Sequence, residues 1–545
     1  MYKIKVFVNG EENKIKAPSS SNLLDILQNN GINISAPCAG QGKCGKCKVK
    51  IVNSFSSDQL KKKELELLSQ EEVDKGVRLA CRTIVDRDMT IYVDESSINE
   101  DNTMEIKKDS VSIDTGLKTD FNKEKLVSTD TYGLAVDIGT TTIVIYLIDL
   151  LDGEEIDVTA FANPQRRYGA DVVSRVNFTL DNEDGIKKMQ QILMNSLNQS
   201  IKKLAEKNEL KKEKISQAVV VGNTIMLHTL LGLSAANIVN APYIPVFTES
   251  RTYSASEFGL KISKDGSVKI PPSISGYIGA DITAGMLVTE AQNADKYLFL
   301  DLGTNGEIVL VDNNKIITTS AAAGPAFEGA NITFGMAAVN GAISRFSLNE
   351  KGIPVYSTIG KKTARGICGS GLIDIIAELL RNNYMEKSGK LVNNNSLLQN
   401  RKYMGEYQGI NAFEIFKSKK EKIVLTQKDI REFQLAKAAV TAGIKIIFKE
   451  AGSKFKQVDK VYLAGGFSNY ININNLIAIG ILPFELKEKI VRLGNTAGLG
   501  AKLYLINKKF RKKAEKIKAQ AQYIMLSSRS DFQKVYLDSM NLEIF

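Results

Sequence analysis

Three cysteines on one glycine-rich loop, with a fourth far along the chain, constrain this sequence more than any other feature. The loop is residues 36–49, APCAGQGKCGKCKV, and carries Cys38, Cys44 and Cys47 with Gly40, Gly42 and Gly45 between them. Cys81 follows in the segment RLACR, so the spacing is C-x5-C-x2-C-x33-C. Three thiolates on one loop plus one distant thiolate can hold a [2Fe–2S] cluster. Glycine suits such a loop because the backbone must curl around sulfide and aim N–H donors at it. The alternatives are zinc, which usually takes ligands in paired short spacings, and disulfides, which belong to exported chains.

The loop resembles that of the adrenodoxin-type [2Fe–2S] ferredoxins, which share C-x5-C-x2-C, whereas the plant-type first gap has four residues. The resemblance spans residues 1–94 and implies a β-grasp fold. Local signals agree. Residues 2–8 and 14–17 read as strands flanking Asn9-Gly10, a hairpin turn signal. Residues 22–30 read as a helix ending at Gly31, 47–52 as a strand, 58–74 as a charged helix and 89–93 as a closing strand. Lys43, Lys46, Lys48 and Lys50 surround the loop and could steer an acidic partner.

The whole chain has 545 residues, enough for several domains. At 43% hydrophobic and 24% charged it reads as a soluble globular protein. It has no run of eighteen apolar residues to span a membrane and no signal-peptide pattern, so a cytoplasmic location is expected. The net charge of +11 comes from scattered residues, and no nucleic-acid-binding motif accompanies it. The densest basic run, residues 508–513, reads as a solvated helix face. A single His leaves no room for a Ser–His–Asp triad or a His-based metal site.

Residues 95–130 are polar and weakly periodic, and read as a flexible linker. From residue 132 the pattern sharpens. An apolar strand ends at Asp137, the turn Ile138-Gly139-Thr140-Thr141-Thr142 follows, and a second strand begins at Ile143. This turn joins two strands, which argues against a P-loop and a Rossmann site, both of which open a helix. The unit recurs. Residues 298–311 align with 134–147 without a gap, placing Asp137 on Asp301, Gly139 on Gly303 and Thr140 on Thr304, with Asn305 next. The offset of 164 residues is domain-sized and points to duplicated halves. A third turn, Gly465-Gly466-Phe467, also follows an apolar strand.

This constellation resembles the ASKHA superfamily of acetate and sugar kinases, Hsp70 chaperones and actin. The resemblance makes the two hairpins phosphate-binding elements and residues 463–467 the adenosine element. It implies an α/β, ribonuclease-H-like two-lobed ATPase, with lobes at residues 131–297 and 298–545, the second carrying a tail that packs on the body. In this reading Asp137 and Asp301 hold Mg²⁺ at strand ends. Gly139, Thr140, Thr141, Thr142, Gly303, Thr304 and Asn305 bind the phosphates, and Gly465 and Gly466 lie flat against the purine.

Other segments are less specific. Asp281 is expected as a helix N-cap or as a third catalytic carboxylate. Gly369 and Ser370 open an apolar helix whose N–H groups could face phosphate. Cys368 reads as a packed thiol, and His228 as a core or cap residue on a helix spanning 225–231. Residues 433–449 form a strongly amphipathic helix.

A ferredoxin joined to such an ATPase resembles the ATP-dependent reductive activators of corrinoid proteins. The resemblance covers nearly all the chain and rests on VDIGTTT (136–142), NPQRRYGADVVSR (163–175), VGNTIMLH (221–228), GADITAG (279–285), DLGTNGE (301–307), GICGSGLID (366–374) and LAGGF (463–467), besides the cysteine loop. It implies one-electron reduction of Co(II) to Co(I) on a corrinoid protein of a methyltransferase system, driven by ATP and fed by a low-potential electron donor. Arg166 and Arg167 could neutralise phosphate or an acidic partner. A homodimer is compatible with the chain. The alternatives are an activator of a radical dehydratase or reductase, and a small-molecule kinase with a regulatory cluster.

Overall fold

The computed structural model describes residues 1–8, 10–30, 32, 34, 36, 40, 42, 45–52, 62–93, 131–169, 171–290, 294–303, 305–313, 315–329, 331–392, 401–418, 422–465, 468 and 470–545. Asn9, Gly31, Cys38, Cys44, Thr304, Gly466, Phe467 and the expected linker at 95–130 lie outside the described residues.

The N-terminal strands Tyr2–Val8 and Glu11–Ala17 pair antiparallel, while Tyr2–Val8 runs parallel to Met89–Val93. The sheet order is Glu11–Ala17, Tyr2–Val8, Met89–Val93, Lys48–Ile51, Val77–Leu79. Alternation of residues such as Ile4 and Val6 turns one face of this sheet inward. There it meets Leu23 and Leu27 of the helix Leu23–Asn29, giving the β-grasp arrangement its own core. Asn22 caps that helix through a bond from the Leu24 amide, 3.0 Å. The charged stretch expected as one helix is instead Lys62–Leu65 and Gln70–Asp74. The break has a local cause, since Ser69 and Glu72 form a capping box that starts a new helix.

The body holds two six-stranded sheets built alike. In the first, Tyr132–Ile138, Thr142–Asp149 and Glu155–Ala162 form an antiparallel meander, and Ile215–Gly222 lies parallel on the other side of Tyr132–Ile138. In the second, Lys296–Leu302, Gly306–Asp312 and Lys315–Ala321 form the meander, and Lys460–Ala464 is the parallel neighbour. The duplication seen in the hairpins therefore extends to strand order. One register detail differs. Asp137 faces Val144, whereas Asp301 faces Glu307, so the second hairpin closes one residue tighter than the ungapped alignment implies.

Two large apolar cores fill the body. The helices Thr496–Ile506 and Lys508–Gln520 belong in sequence to the second half, yet bury Leu505, Phe510 and Ile517 in the first core. The exposed face of the second of these helices carries the basic run. Thr496–Ile506 crosses the helix Ala280–Glu290 at close range, because a Cβ on Gly500 would lie 1.9 Å from Ala284 O. The amphipathic helix is Gln427–Ala451, longer than expected, started by a capping box of Thr426 and Asp429. Its buried Lys437 donates to Ser539 O at 2.9 Å and Asn541 O at 2.7 Å, which fastens the C-terminal tail. Among the described residues no helix is long and apolar enough to cross a membrane.

Candidate functional site

The cysteine loop meets Cys81 directly. Cys47 and Cys81 are buried, and Ala80 N donates to Cys47 O at 2.8 Å, which sets the two cysteines side by side in the backbone. A Cβ on Gly40 would lie 3.7 Å from Cys81 Cβ. Gly40, Gly42 and Gly45 have φ of 76°, 68° and 65°, a curl that residues with a Cβ resist. Three left-handed glycines, one of them beside a distant cysteine, fit a [2Fe–2S] cluster, with Asn22 Nδ2 fixing Cys81 O at 3.0 Å.

The first hairpin turn is held from behind by the segment 163–175. Gly139 O accepts from Asn163 Nδ2 at 2.9 Å, Thr140 O from Arg175 Nη2 at 2.6 Å and Thr141 O from Asn163 N at 2.9 Å. With these carbonyls engaged, the amides of Thr140 and Thr141 have no protein acceptor among the described residues. Such donors suit a phosphate. Arg175 is fully buried; removal from water and the charge of Arg166 pull it down to about 9, with Asp171 and Glu328 opposing. Arg166 is likewise lowered by burial and supported by Glu328. Arg167 donates to Tyr168 OH at 2.7 Å. Thr140 Oγ1 accepts from Asn223 Nδ2 at 3.1 Å, and Thr142 O from Gly139 N at 3.0 Å.

The second turn closes through Gly303 N to Asn305 O, 3.0 Å. Gly465 has φ of 83°, and a Cβ there would lie 2.7 Å from Asp301 Oδ1, so only glycine lets the third turn run past the carboxylate.

The two hairpins bring their carboxylates together with Asp281. Burial raises Asp137 to about 7, the charges of Asp281 and Asp301 add to this, and a bond from Asn495 Nδ2 at 3.0 Å opposes it. Asp301 is raised to about 7 by burial, then by Asp281 and Glu328. Burial lifts Asp281 to about 6 against bonds from backbone amides. Glu307, beside Asp301 in the ladder, is pushed well above the ordinary carboxylate range by burial and then by Asp301. Among the described residues no group of three or more His, Cys, Asp or Glu side chains is arranged to hold a metal ion by itself. Carboxylates whose charges act on one another could hold Mg²⁺ only together with water and phosphate oxygens, which that ion keeps as ligands.

Some expectations change. The helix starts at Ala280, so Asp281 lies inside its first turn rather than at the N-cap; its Oδ1 accepts from the Ile282 amide at 2.8 Å. Gly369 and Ser370 open a helix, as expected. Both are buried at the start of Gly369–Arg381, and Ser370 Oγ donates inward to Ser344 O at 3.0 Å. Cys368 is buried and its Sγ donates to Ile343 O at 3.3 Å, a packed thiol. His228 is also core, with Nδ1 bonding Thr224 O and Nε2 accepting from Val246 N.

Three residues at the site have no counterpart in the sequence reading. Glu307 was hidden by the tighter second turn. Asn495 caps Thr496–Ile506 and reaches Asp137 from 358 positions away; an Asn after an apolar strand is the signal that could have found it. Glu328 accepts from Thr141 Oγ1 at 3.0 Å across 187 positions; its segment GPAFEG reads only as a turn.

Comparisons with known proteins cover the chain in order. A family model for the 2Fe-2S iron-sulfur cluster binding domain matches residues 6–86, the RACo middle region matches 132–294, and the C-terminal domain of RACo, the ASKHA domain, matches 295–544. The corrinoid activation enzyme RamQ of Eubacterium limosum is 34% identical over 415 residues, covering 74% of this chain and 69% of that protein. The [Co(II) methylated amine-specific corrinoid protein] reductase of Methanosarcina barkeri is 27% identical over 439 residues, covering 74% and 76%. A solved reductive activator for a corrinoid, iron-sulfur protein superposes over 99% of this chain and 98% of its own with a TM-score of 0.69 at 29% identity.

Proposed function

The chain belongs to the family of corrinoid activation enzymes that join a [2Fe–2S] domain to an ASKHA domain, and on that premise we propose that it uses ATP to return a corrinoid protein of a methyltransferase system from Co(II) to Co(I). The observation that carries this reading is the pairing of a cysteine loop with two facing phosphate-type turns in one chain, on a fold shared with a reductive activator.

Each site has a division of labour in this reading. Cys38, Cys44, Cys47 and Cys81 hold the cluster, which supplies one electron at a time when bound. Asp137, Asp301 and Asp281 face Mg²⁺. Gly139, Thr140, Thr141, Thr142, Gly303, Thr304 and Asn305 bind the phosphates, and Gly465 with Gly466 the adenosine. The backbone N–H groups of Gly369 and Ser370, at the start of their helix, face phosphate in the same reading, while the Ser370 side chain is turned to Ser344 O. A low-potential donor feeds the chain, and the setting is the cytoplasm. Buried Cys368 is unsuited to bridging a cluster between subunits, which counts against the radical-enzyme alternative.

ATP has a thermodynamic task here. Plant-type [2Fe–2S] centres sit near −400 mV, and each ~59 mV by which a Co(II)/Co(I) couple lies below its donor costs a factor of ten. Nucleotide can offset this only by favouring one conformation of the activator–corrinoid complex. The test follows the Co(I) absorption band of a partner corrinoid protein with a low-potential reductant and Mg²⁺. Co(I) is expected with ATP and not without it. Equal reduction in the absence of nucleotide would sink the proposal.

A further inference from the structure

We infer that Glu328 is a further catalytic residue, a carboxylate that holds the water attacking the terminal phosphate of ATP. The inference rests on the reading that the two hairpin turns bind ATP. Its geometry is independent of the aspartates. One carboxylate oxygen, Oε2, accepts from Thr141 Oγ1 on the first turn at 3.0 Å. The other, Oε1, lies 3.8 Å from where a Cβ on Gly303 of the second turn would stand. The group therefore spans the gap between the two turns, where the terminal phosphate of a nucleotide gripped from both sides would lie.

The backbone beneath it is firmly set. Glu328 ends the short 3-10 helix Pro325–Glu328, whose Ala326 and Phe327 are buried in the second core. Phe327 packs edge-on against Phe433, centroids 5.7 Å apart. Gly329 follows with no space for a side chain, since a Cβ would lie 2.5 Å from Met336 O. Thus a side chain anchored in one lobe touches the phosphate turn of the other. Arg166 and Arg175 stand close enough for their charges to act on it.

The chemistry is hydrolysis. The water oxygen bonds to the terminal phosphorus, and the bond to the bridging oxygen breaks with its electron pair leaving on ADP. The proton of the water passes to Glu328 and on to the released phosphate. Because the carboxylate must keep its place against the opposite lobe, hydrolysis is confined to the closed arrangement. That confinement ties ATP turnover to lobe closure.

The test is made in the full chain loaded with its cluster. Glu328→Gln keeps the size of the group and an oxygen to accept from Thr141, but removes the base. A fluorescent ATP analogue should bind within about threefold of wild type while kcat for ATP falls at least about 100-fold, the usual scale of a lost general base. Glu328→Asp, which keeps the charge and withdraws it by one methylene, should give an intermediate rate, and thermal melting checks that each variant is folded. A kcat for Glu328→Gln within about threefold of wild type, or a loss that resides in nucleotide affinity, overturns the assignment while leaving the turns as the nucleotide site. A wild-type chain that neither binds nor hydrolyses ATP overturns that reading, and the inference with it.

Discussion

Asp137, Asp281 and Asp301 carry charges that burial in the fold disfavours. Each binds its proton more tightly in the folded chain than an ordinary Asp carboxyl at 3.8, with Asp137 and Asp301 raised to about 7 and Asp281 to about 6. Between about pH 4 and pH 7 the folded chain therefore holds more protons than the unfolded chain. In the absence of divalent cations these groups make stability fall as pH rises through that window and level off above it. A cation needs them ionised, so Mg²⁺ with ATP should raise the melting temperature more at about pH 8 than at about pH 5.5. A shift equal at both pH values would contradict the carboxylate assignment. Asp137→Asn can still accept from Asn495, so its geometry is largely kept. It should lower kcat by about 10²-fold with a much smaller change in nucleotide affinity; steady-state ATPase assays beside binding titrations separate the two. Asp137 and Asp301 were legible in the sequence because an apolar strand ending in Asp before a Gly-Thr turn occurs twice. Glu307 was not, because an ungapped alignment sets it on Ile143 while the tighter turn sets it opposite Asp301. Asn495 and Glu328 reach the site through tertiary contacts; a local pattern marks Asn495 as a helix cap but not as a partner of Asp137, and marks Glu328 only as part of a turn.

At the scale of elements, the crossing of Ala280–Glu290 with Thr496–Ile506 is the contact most exposed to a small change. Asp281 sits at the start of one helix, and Asn495, which holds Asp137, caps the other. A Cβ on Gly500 would lie 1.9 Å from Ala284 O, and backbone is not a group that can swing aside. Gly500→Ala should therefore destabilise the body by about 1–3 kcal/mol, the range for overpacking, outweighing the gain of up to ~1 kcal/mol that alanine brings to a helix. Thermal melting reads the sign; an increase in melting temperature would show that the helices are free to separate. The hairpins and the β-grasp strands were legible because period-2 alternation and turn residues are local signals. The helix restart at Ser69 and the early start of Gln427–Ala451 follow from capping boxes that apolar periodicity overlooks. The crossing itself was not legible, since small residues along a helix give no periodic signal until a partner is known.

At the scale of the whole molecule, the N-terminal sheet and the body each bury apolar residues in cores of their own. The sequence places thirty-six mostly polar residues, 95 to 130, between them. We propose that this stretch serves as a tether, contributing to electron transfer through effective concentration, on the order of millimolar. Exposed Lys46 and Lys50 are placed to steer the encounter, while Lys48 is already held by Glu72 at 2.5 Å. The separated body should bind and hydrolyse ATP yet fail to reduce a Co(II) corrinoid protein. Adding the N-terminal domain back at about millimolar concentration should restore part of the rate, and at micromolar concentration very little, because the tether no longer gathers the two. Raising the salt should slow the reconstituted pair more than the intact chain, since steering acts on a bimolecular encounter that the tether makes intramolecular. The Co(I) absorption band reports each case. Should the body alone reduce cobalt as fast as the intact chain from the same donor, the cysteine loop lies off the electron path, and the coupling of the two halves must serve some other end.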